Sequence, residues 1–395
     1  MDYNKESIKL HEKLKGKLDV NANTSIESKE DLSLIYSPGV AGPCLDIAND
    51  PSRVYDLTIK GRTVAVISDG SAVLGLGNIG AAASIPVMEG KAALFRKFAG
   101  LNAFPICLDT QDTDEIIQTV RLIAPVFGGV NLEDISAPRS FIIEQSLQDI
   151  GIPVFHDDQH GTAIVTLAGL INVSKILGKS LSDMNIVING AGAAGIAITN
   201  LLRCYGHKDG AIENQSCISV KSVIVCDSKG IISKDRDNLN EVKKNLLSYT
   251  NPTNKKGLLI DALENADVFI GVSKGNLLEK AHIDAMADGP VIFALANPTP
   301  EISPEKAKEY GVRIIATGRS DYPNQVNNVL AFPGIFKGAL KVRAKQITSS
   351  MKIAAAYAIA ACQTNATENS IIPDALNMEI ADKVAQAVIE NYEKS

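Results

Sequence analysis

The stretch that most constrains this chain is NIVINGAGAAG, residues 185–195. A β-branched run passes without a break into a G-x-G-x-x-G pattern, and small residues follow. That order suits a strand, a tight turn and a helix N-terminus that bring backbone amides up to a pyrophosphate. Gly190, Ala191, Gly192, Ala193, Ala194 and Gly195 are therefore read as a dinucleotide loop. An acid ending the next strand should hold the adenosine ribose, and Asp227 closes KSVIVCD, 221–227. The separation is longer than the usual roughly 20 residues, which the polar insertion HKDGAIENQS, 207–216, accounts for.

A second match, GLGNIG at 75–80, fits less well because DGSAVL separates it from the strand TVAVIS, 63–68. It reads as a tight turn opening a helix at the active-site cleft, where glycines let the backbone approach substrate or nicotinamide.

Around these motifs, short apolar runs alternate with segments of helical length, the signature of parallel sheets. One series is TVAVIS, AFPICL (103–108), VFGGVN (126–131) and IPVF (152–155). The other is NIVIN, KSVIVCD, DVFIGV (267–272), PVIFALA (290–296) and VRIIAT from Val312. The expected fold is α/β with two domains, residues 1–158 carrying one sheet and 159–395 a Rossmann-type parallel sheet with C-terminal helices. HGTAIVTLAGLINVSKIL is read as the apolar helix joining them. From about residue 335 the chain is expected to be helical, closing with the amphipathic MEIADKVAQAVIENYEK.

At 395 residues the chain can bury two ordinary cores. A formal charge of −6 without a Lys/Arg-rich run argues against a nucleic-acid partner. The charged N-terminus is no secretory signal. IAAAYAIAAC, 353–362, read as the longest apolar run, is too short to span a bilayer, so a cytoplasmic protein without a membrane partner is expected. The six cysteines show no C-x-x-C spacing and are read as buried reduced thiols.

Acids follow two strands of the first series: Glu133 and Asp134 after VFGGVN, Asp157 and Asp158 after IPVF. An all-oxygen cage would select a hard divalent cation, Mn²⁺ or Mg²⁺, although helix caps and solvated turns are the commoner use of such pairs. HDDQH, 156–160, approximates the zinc-protease H-E-x-x-H pattern. The extended residues before it and Gly161 after it argue against the helix that pattern needs.

Eight blocks together resemble the malic enzymes, in particular the compact bacterial type: LSLIYSPGVAGPC, SDGSAVLGLGNIG, PVMEGKAALFRKFAG, GGVNLEDI, VFHDDQHGTA, INGAGAAG, ANPTPEI and DYPNQVNNVLAFPGIF. The resemblance implies oxidative decarboxylation of L-malate to pyruvate and CO₂ with NAD or NADP and Mn²⁺ or Mg²⁺; a homodimer is expected. It makes Lys91 the general base, also contacting substrate, and Tyr36 the general acid. Glu133, Asp134 and Asp158 become the metal ligands, Asp157 an orienting acid at the catalytic centre, and Asn297, Asn327 and Asn328 the groups holding malate. Burial near a cation is expected to lower the Lys91 pKa toward neutrality. Larger relatives carry a carboxylate-gripping arginine where this chain reads Ser71-Ala72-Val73, so the asparagines and the metal are expected to take that charge. Asp227 favours NAD, with NADP also used through Ser228 and Lys229. A malolactic-type or other 2-hydroxy acid oxidoreductase, or a non-catalytic nucleotide sensor, are the alternatives.

Overall fold

The computed structural model describes residues 3–73, 75–205 and 219–392, so the insertion at 207–216 lies outside the described residues. In the first sheet, β1 (Thr63–Ser68) is buried at every position, as a central parallel strand flanked by helices must be. β2 (Asn102–Cys107) and β3 (Gly129–Leu132) pair with it on either side, and β4 (Val154–His156) lies beyond β3. All these pairs are parallel. β3 begins later than VFGGVN suggests because Ala124–Val126 form a 3-10 turn. The buried Lys60 ammonium fixes that turn by donating to the carbonyls of Ala124, Pro125 and Phe127.

The second sheet runs β10-β9-β8-β5-β6-β7. Its strands are β5 (Asn185–Asn189), β6 (Ser222–Asp227), β7 (Gly230–Ile231), β8 (Val268–Gly271), β9 (Val291–Ala294) and β10 (Ile314–Thr317). Only the β6–β7 pair is antiparallel. Each sheet contains one place where successive connections leave in opposite directions, between β1 and β3 in the first and between β5 and β8 in the second. Crevices open beyond the carboxyl ends of strands at such points.

The helices that matter for the site are numbered here in chain order, and the rest are given by range. α1 (Tyr3–Leu14), α2 (Lys29–Ile35) and α3 (Ala41–Asn49) bury no residue. They leave Ile8, Leu10, Leu34 and Leu45 exposed. Lys17 holds this segment to α4 (Gly80–Leu94), its amide donating to Glu89 and its ammonium to the Pro86 carbonyl.

α5 (Asp157–Leu177) starts directly after β4. The HDDQH expectation therefore needs correction: Asp157 to His160 are helical, because two carboxylates in the first turn complement the helix dipole. The zinc-protease arrangement still does not form. His156 precedes the helix with its ring 3.6 Å from Asp158, whereas His160 pairs with Glu144 at 2.8 Å. α5 is also longer than the apolar run singled out from sequence. By length and composition it could cross a membrane, but 67% of its most apolar window is buried inside the protein. Its Asn172 donates to the carbonyls of Ala360 and Ile371, binding it to the C-terminal region.

α6 (Ala193–Leu202) follows the Gly190 loop. α7 (Phe332–Lys341), α8 (Ser349–Cys362) and α9 (Glu379–Tyr392) close the chain, with a non-helical stretch between α8 and α9 that the sequence reading did not separate. α7 returns to the first sheet. Phe336 meets Phe95 and Phe155 edge-on, with ring centroids 5.4 and 5.9 Å apart, and a Cβ at Gly129 of β3 would lie 2.9 Å from its ring. One buried cluster thus joins Val64 and Val66 of β1 to Ile186 and Ile188 of β5 through these helices.

Among the described cysteines Cys226 is buried, Cys107 and Cys362 are half-buried and Cys44 is exposed. Cys204 is disulfide-bonded. Among the described cysteines the expectation of buried reduced thiols holds fully for Cys226, and Cys217 lies outside the described residues.

Because Phe336 touches both the first sheet and the helices of the second half, Phe336→Ala should cost about 3–5 kcal/mol in urea unfolding, still as a single transition. A loss below about 1 kcal/mol would mean that the two halves do not share this core.

Candidate active site

The two glycine motifs separate by geometry. In the Gly190 loop only the first glycine has positive φ (126°), and a Cβ there would lie 2.7 Å from the Val272 carbonyl oxygen. A Cβ on Gly195 would collide with the Gly190 carbonyl at 1.7 Å, so this glycine lets α6 close onto the turn. Gly192 faces open space where a phosphate could approach. In the 75–80 turn all three glycines have positive φ. Val73 and Gly77 there form a small antiparallel bridge, and α4 starts at Gly80. Gly75 packs against Pro298 at the cleft, as expected of a turn rather than a nucleotide loop.

A cleft of about 610 Å³ lies between the carboxyl ends of the two sheets. Lys91, Glu133, Asp134, Asp158, Thr162, Gly192, Ala193, Ala194, Asn297, Asn327 and Asn328 all line it. A groove of about 590 Å³, lined by Gly190–Gly192, Asp227, Ser228, Lys243 and Lys274, shares Gly192 and Ser273 with the cleft.

Lys91, in the last turn of α4, reaches across to Asp157 at 2.7 Å and Glu133 at 2.9 Å. Phe332 covers it, 4.4 Å from ring centroid to ammonium. Burial acts against the ammonium, but the Asp157 and Glu133 carboxylates outweigh it and raise the pKa above the ordinary lysine range. The lowering expected from burial is outweighed by those two acids. Asp157 is fully buried. Its side chain folds back over Gly161, where a Cβ would sit 1.9 Å from Oδ1, so the glycine that argued against a helix is needed to seat the acid. Asn328 donates to Asp157 Oδ2 at 3.1 Å, which commits this amide to the acid.

Glu133, Asp134 and Asp158 bring one oxygen each within 4.8 Å of one another. Burial, followed by the neighbouring Asp157, Asp158 and Asp134, pushes Glu133 well above the ordinary carboxylate range in spite of Lys91. The Asp134 amide donates to Asp158 at 2.9 Å, and its carbonyl accepts from the Ala72 amide. An oxygen-only set of three acids beside a single lysine fits a hard divalent cation.

Tyr36 stands apart. It follows α2, is 69% exposed and does not line the cleft. In the SDGSAVLG block Ser71 is tied to Asp69. Arg139 pairs with Asp69 at 2.8 Å and does not line the cleft. Among the described lining residues Lys91 is the one Lys or Arg.

Asp227, expected to offer its oxygens to ribose hydroxyls, is already occupied: Arg236 donates to both oxygens, Lys243 to Oδ2 and the Lys229 amide to Oδ1. Sequence reasoning also missed Glu301 of ANPTPEI. Its fully buried carboxylate accepts from the Ser273 and Ala296 amides, so it braces the loops after β8 and β9 that line the cleft. An acid placed among apolar strand ends was the available signal.

The chain matches the family description "Malic enzyme, N-terminal domain" over residues 15–148 and "Malic enzyme, NAD binding domain" over 159–392. The chain belongs to the malic enzyme family. A bifunctional malic/malolactic enzyme of Bacillus subtilis is 53% identical over 98% of this chain and 92% of its own length. An NADP-dependent malic enzyme of Haemophilus influenzae is 49% identical over 95% of this chain, which covers 48% of that larger protein. The crystal structure of the NAD-dependent malic enzyme of Thermotoga maritima superposes with a TM-score of 0.90 at 47% identity, covering 97% of this chain and 98% of that one.

Burial raises the Glu301 pKa to about 7 against the pull of its backbone hydrogen bonds. Between the ordinary value of 4.5 and about 7 the unfolded chain has lost this proton while the folded one keeps it. Stability must therefore fall as pH rises through that window, by about 3 kcal/mol in total. Glu301→Gln should remove that slope in urea unfolding measured from pH 4.5 to 7.5; parallel wild-type and variant profiles would place the proton elsewhere.

Proposed function

We propose that this chain carries out the malic enzyme reaction, oxidative decarboxylation of L-malate to pyruvate and CO₂ with reduction of NAD or NADP, in the cleft between the sheets. The observation that carries the reading is Lys91 braced between Glu133 and Asp157, beside the Glu133–Asp134–Asp158 oxygen set and facing the Gly192–Ala194 loop. Residues 1–158 would supply the catalytic acids and Lys91, and residues 159–395 the dinucleotide loop. We infer a cytoplasmic location, as expected for a bacterial-type malic enzyme; among the described residues the one helix long and apolar enough to cross a membrane is largely buried in the protein.

Glu133, Asp134 and Asp158 would hold Mn²⁺ or Mg²⁺, which would supply positive charge to offset negative charge developing on the substrate oxygens, and the Gly190 loop would hold the dinucleotide that accepts the hydride. Lys91 takes the C2 hydroxyl proton. A cation held beside Glu133 would offset one of the two acids that hold the Lys91 ammonium and so make the amine easier to deprotonate. Asp157 keeps the amine aimed, and Asn328 keeps Asp157 aimed. Asn297 and Asn327 are the neutral donors for the malate carboxylates. Tyr36 returns the proton to C3.

Tyr36 has to reach the cleft, and its own chain leaves it exposed on a segment whose helices bury no residue. Covering those apolar side chains is the work of a homodimer interface. We infer that the partner copy supplies Tyr36 to each site.

A steady-state assay on L-malate with Mn²⁺ and each dinucleotide tests the reaction, with stoichiometric pyruvate and reduced cofactor expected. Lactate without net reduced cofactor would instead favour the malolactic alternative, an activity in the name of the Bacillus subtilis relative. For the assembly, Lys91→Ala and Tyr36→Phe should each lower kcat by roughly 10²-fold or more. Co-refolded at equal amounts they should regain about a quarter of wild-type activity, since half the dimers would then contain one intact composite site. No recovery would mean that Lys91 and Tyr36 act within one chain.

A further inference from the structure

A second, smaller cavity of about 150 Å³ lies where α5, α6 and α8 come together. It shares no lining residue with the cleft or with the dinucleotide groove. Ala163, Ile196, Ala197 and Leu201 give it buried apolar walls. Well under the roughly 300 Å³ at which drug-sized pockets begin, it has room for a molecule of only a few heavy atoms.

The polar groups that line this cavity lack acceptors. Gln159 is 4% exposed, and its Nε2 has no hydrogen-bond partner. Native proteins rarely leave a buried amide donor unmatched, and one that lines a cavity calls for an acceptor inside it. Lys352, in the first turn of α8, is the one Lys, Arg, Asp or Glu among the described lining residues. Its ammonium makes no hydrogen bond among the described residues, and Glu144 acts on it only through space. That acid is engaged elsewhere: its two oxygens meet His160 Nε2 at 2.8 and 3.0 Å, and Oε1 also accepts from the His156 amide at 3.1 Å. Burial lowers the Lys352 pKa against the pull of Glu144, so Glu144 does not make good the water that the ammonium has lost. Ser349 adds a hydroxyl. Asn200, whose Oδ1 already accepts from Tyr249, adds an amino group.

One cation short of acceptors, an unmatched amide donor and a short apolar wall are the complement of a single negative group on a small hydrocarbon. A phosphate would bring up to two charges against one lysine, whereas a carboxylate brings one. We propose that this cavity binds a short-chain monocarboxylate, with its oxygens between Lys352 and the Gln159 amide and its hydrocarbon against Ile196 and Ala197. The bound molecule touches α5 one residue beyond Asp158 and touches α6, which follows the Gly190 loop, so it reaches both halves of the protein without entering the cleft.

The test is saturation-transfer NMR on the methyl protons of propionate mixed with the full-length protein, with acetate and inorganic phosphate as competitors. The wild type should transfer saturation to propionate, and acetate should displace it better than phosphate. Lys352→Met, which removes the charge, and Ala197→Leu, which fills the cavity, should each weaken binding about tenfold or more, with folding of each checked by urea unfolding. Lys91→Ala, which alters the cleft, should leave propionate binding within about twofold of the wild type. Wild-type affinity in both Lys352→Met and Ala197→Leu would overturn the proposal. So would binding that is lost in Lys91→Ala and kept in Lys352→Met, which would place propionate in the cleft. Displacement by phosphate as effective as that by acetate would refute the carboxylate as ligand, and no transfer in the wild type would mean that the cavity holds water alone.

Discussion

The ion pairs between the Lys91 ammonium and the carboxylates of Glu133 and Asp157, at 2.9 and 2.7 Å, are the interaction on which the site depends. They lie where water is largely excluded, and breaking one partner of such a pair typically costs several kcal/mol because the other charge is stranded. The arrangement is also unbalanced. Four acids, Glu133, Asp134, Asp157 and Asp158, meet at the ends of β3 and β4 against one lysine. A core selected for stability alone would replace them with apolar side chains. Burial and the neighbouring acids oppose ionisation of Glu133, and added positive charge is what would relieve that.

The fold supplies this convergence through strand order. β1 and β3 are neighbours, and so are β5 and β8, so each sheet has its crevice at the carboxyl ends of its strands and the two crevices face each other. α5 is the strut between them. Its first turn carries Asp157 and Asp158, its fifth residue is the glycine that gives Asp157 room, and its remaining length is core. The asparagine contacts at Asp157 then come from the far half of the chain through Asn328. A shift of α5 along its axis would move two acids at once.

Strands were readable because parallel strands buried on both faces leave continuous β-branched runs, and nine of the ten strands fall on runs picked out from the sequence; β7, two residues long, has no such signature. The Gly190 loop was readable because a strand ran into it. Other features depend on contacts distant in sequence. Nothing in HDDQHG reveals that Gly161 is needed for the Asp157 side chain, so a residue that looked like a helix breaker lies inside a helix. Nothing in KSVIVCD reveals that Arg236 and Lys243 fold back onto Asp227, and a charge judged by its place on a strand was assigned without its neighbours. Lys91 carries no local mark at all. Its role came from family resemblance, and the distances to Glu133 and Asp157 now give a physical reason to look there.

The N-terminal segment sets the last constraint. A chain that can bury Val64, Phe155 and Ile188 together in one core leaves Leu10, Leu34, Tyr36 and Leu45 exposed, although α2 is well formed, with Ser28 and Asp31 completing a capping box. Short helices gain most of their stability from packing an apolar face rather than from propensity. Here, that face is not supplied by the rest of the chain. The residue that resemblance makes the proton donor sits on this same segment, away from the lysine it must work with. In the proposed homodimer both facts would have one resolution: the surface that needs covering and the site that needs a tyrosine would be completed by the same event, and assembly and catalytic competence would be a single equilibrium. In such a protein dilution would lower activity per subunit without unfolding the sheets, because what is lost is the neighbour and not the core.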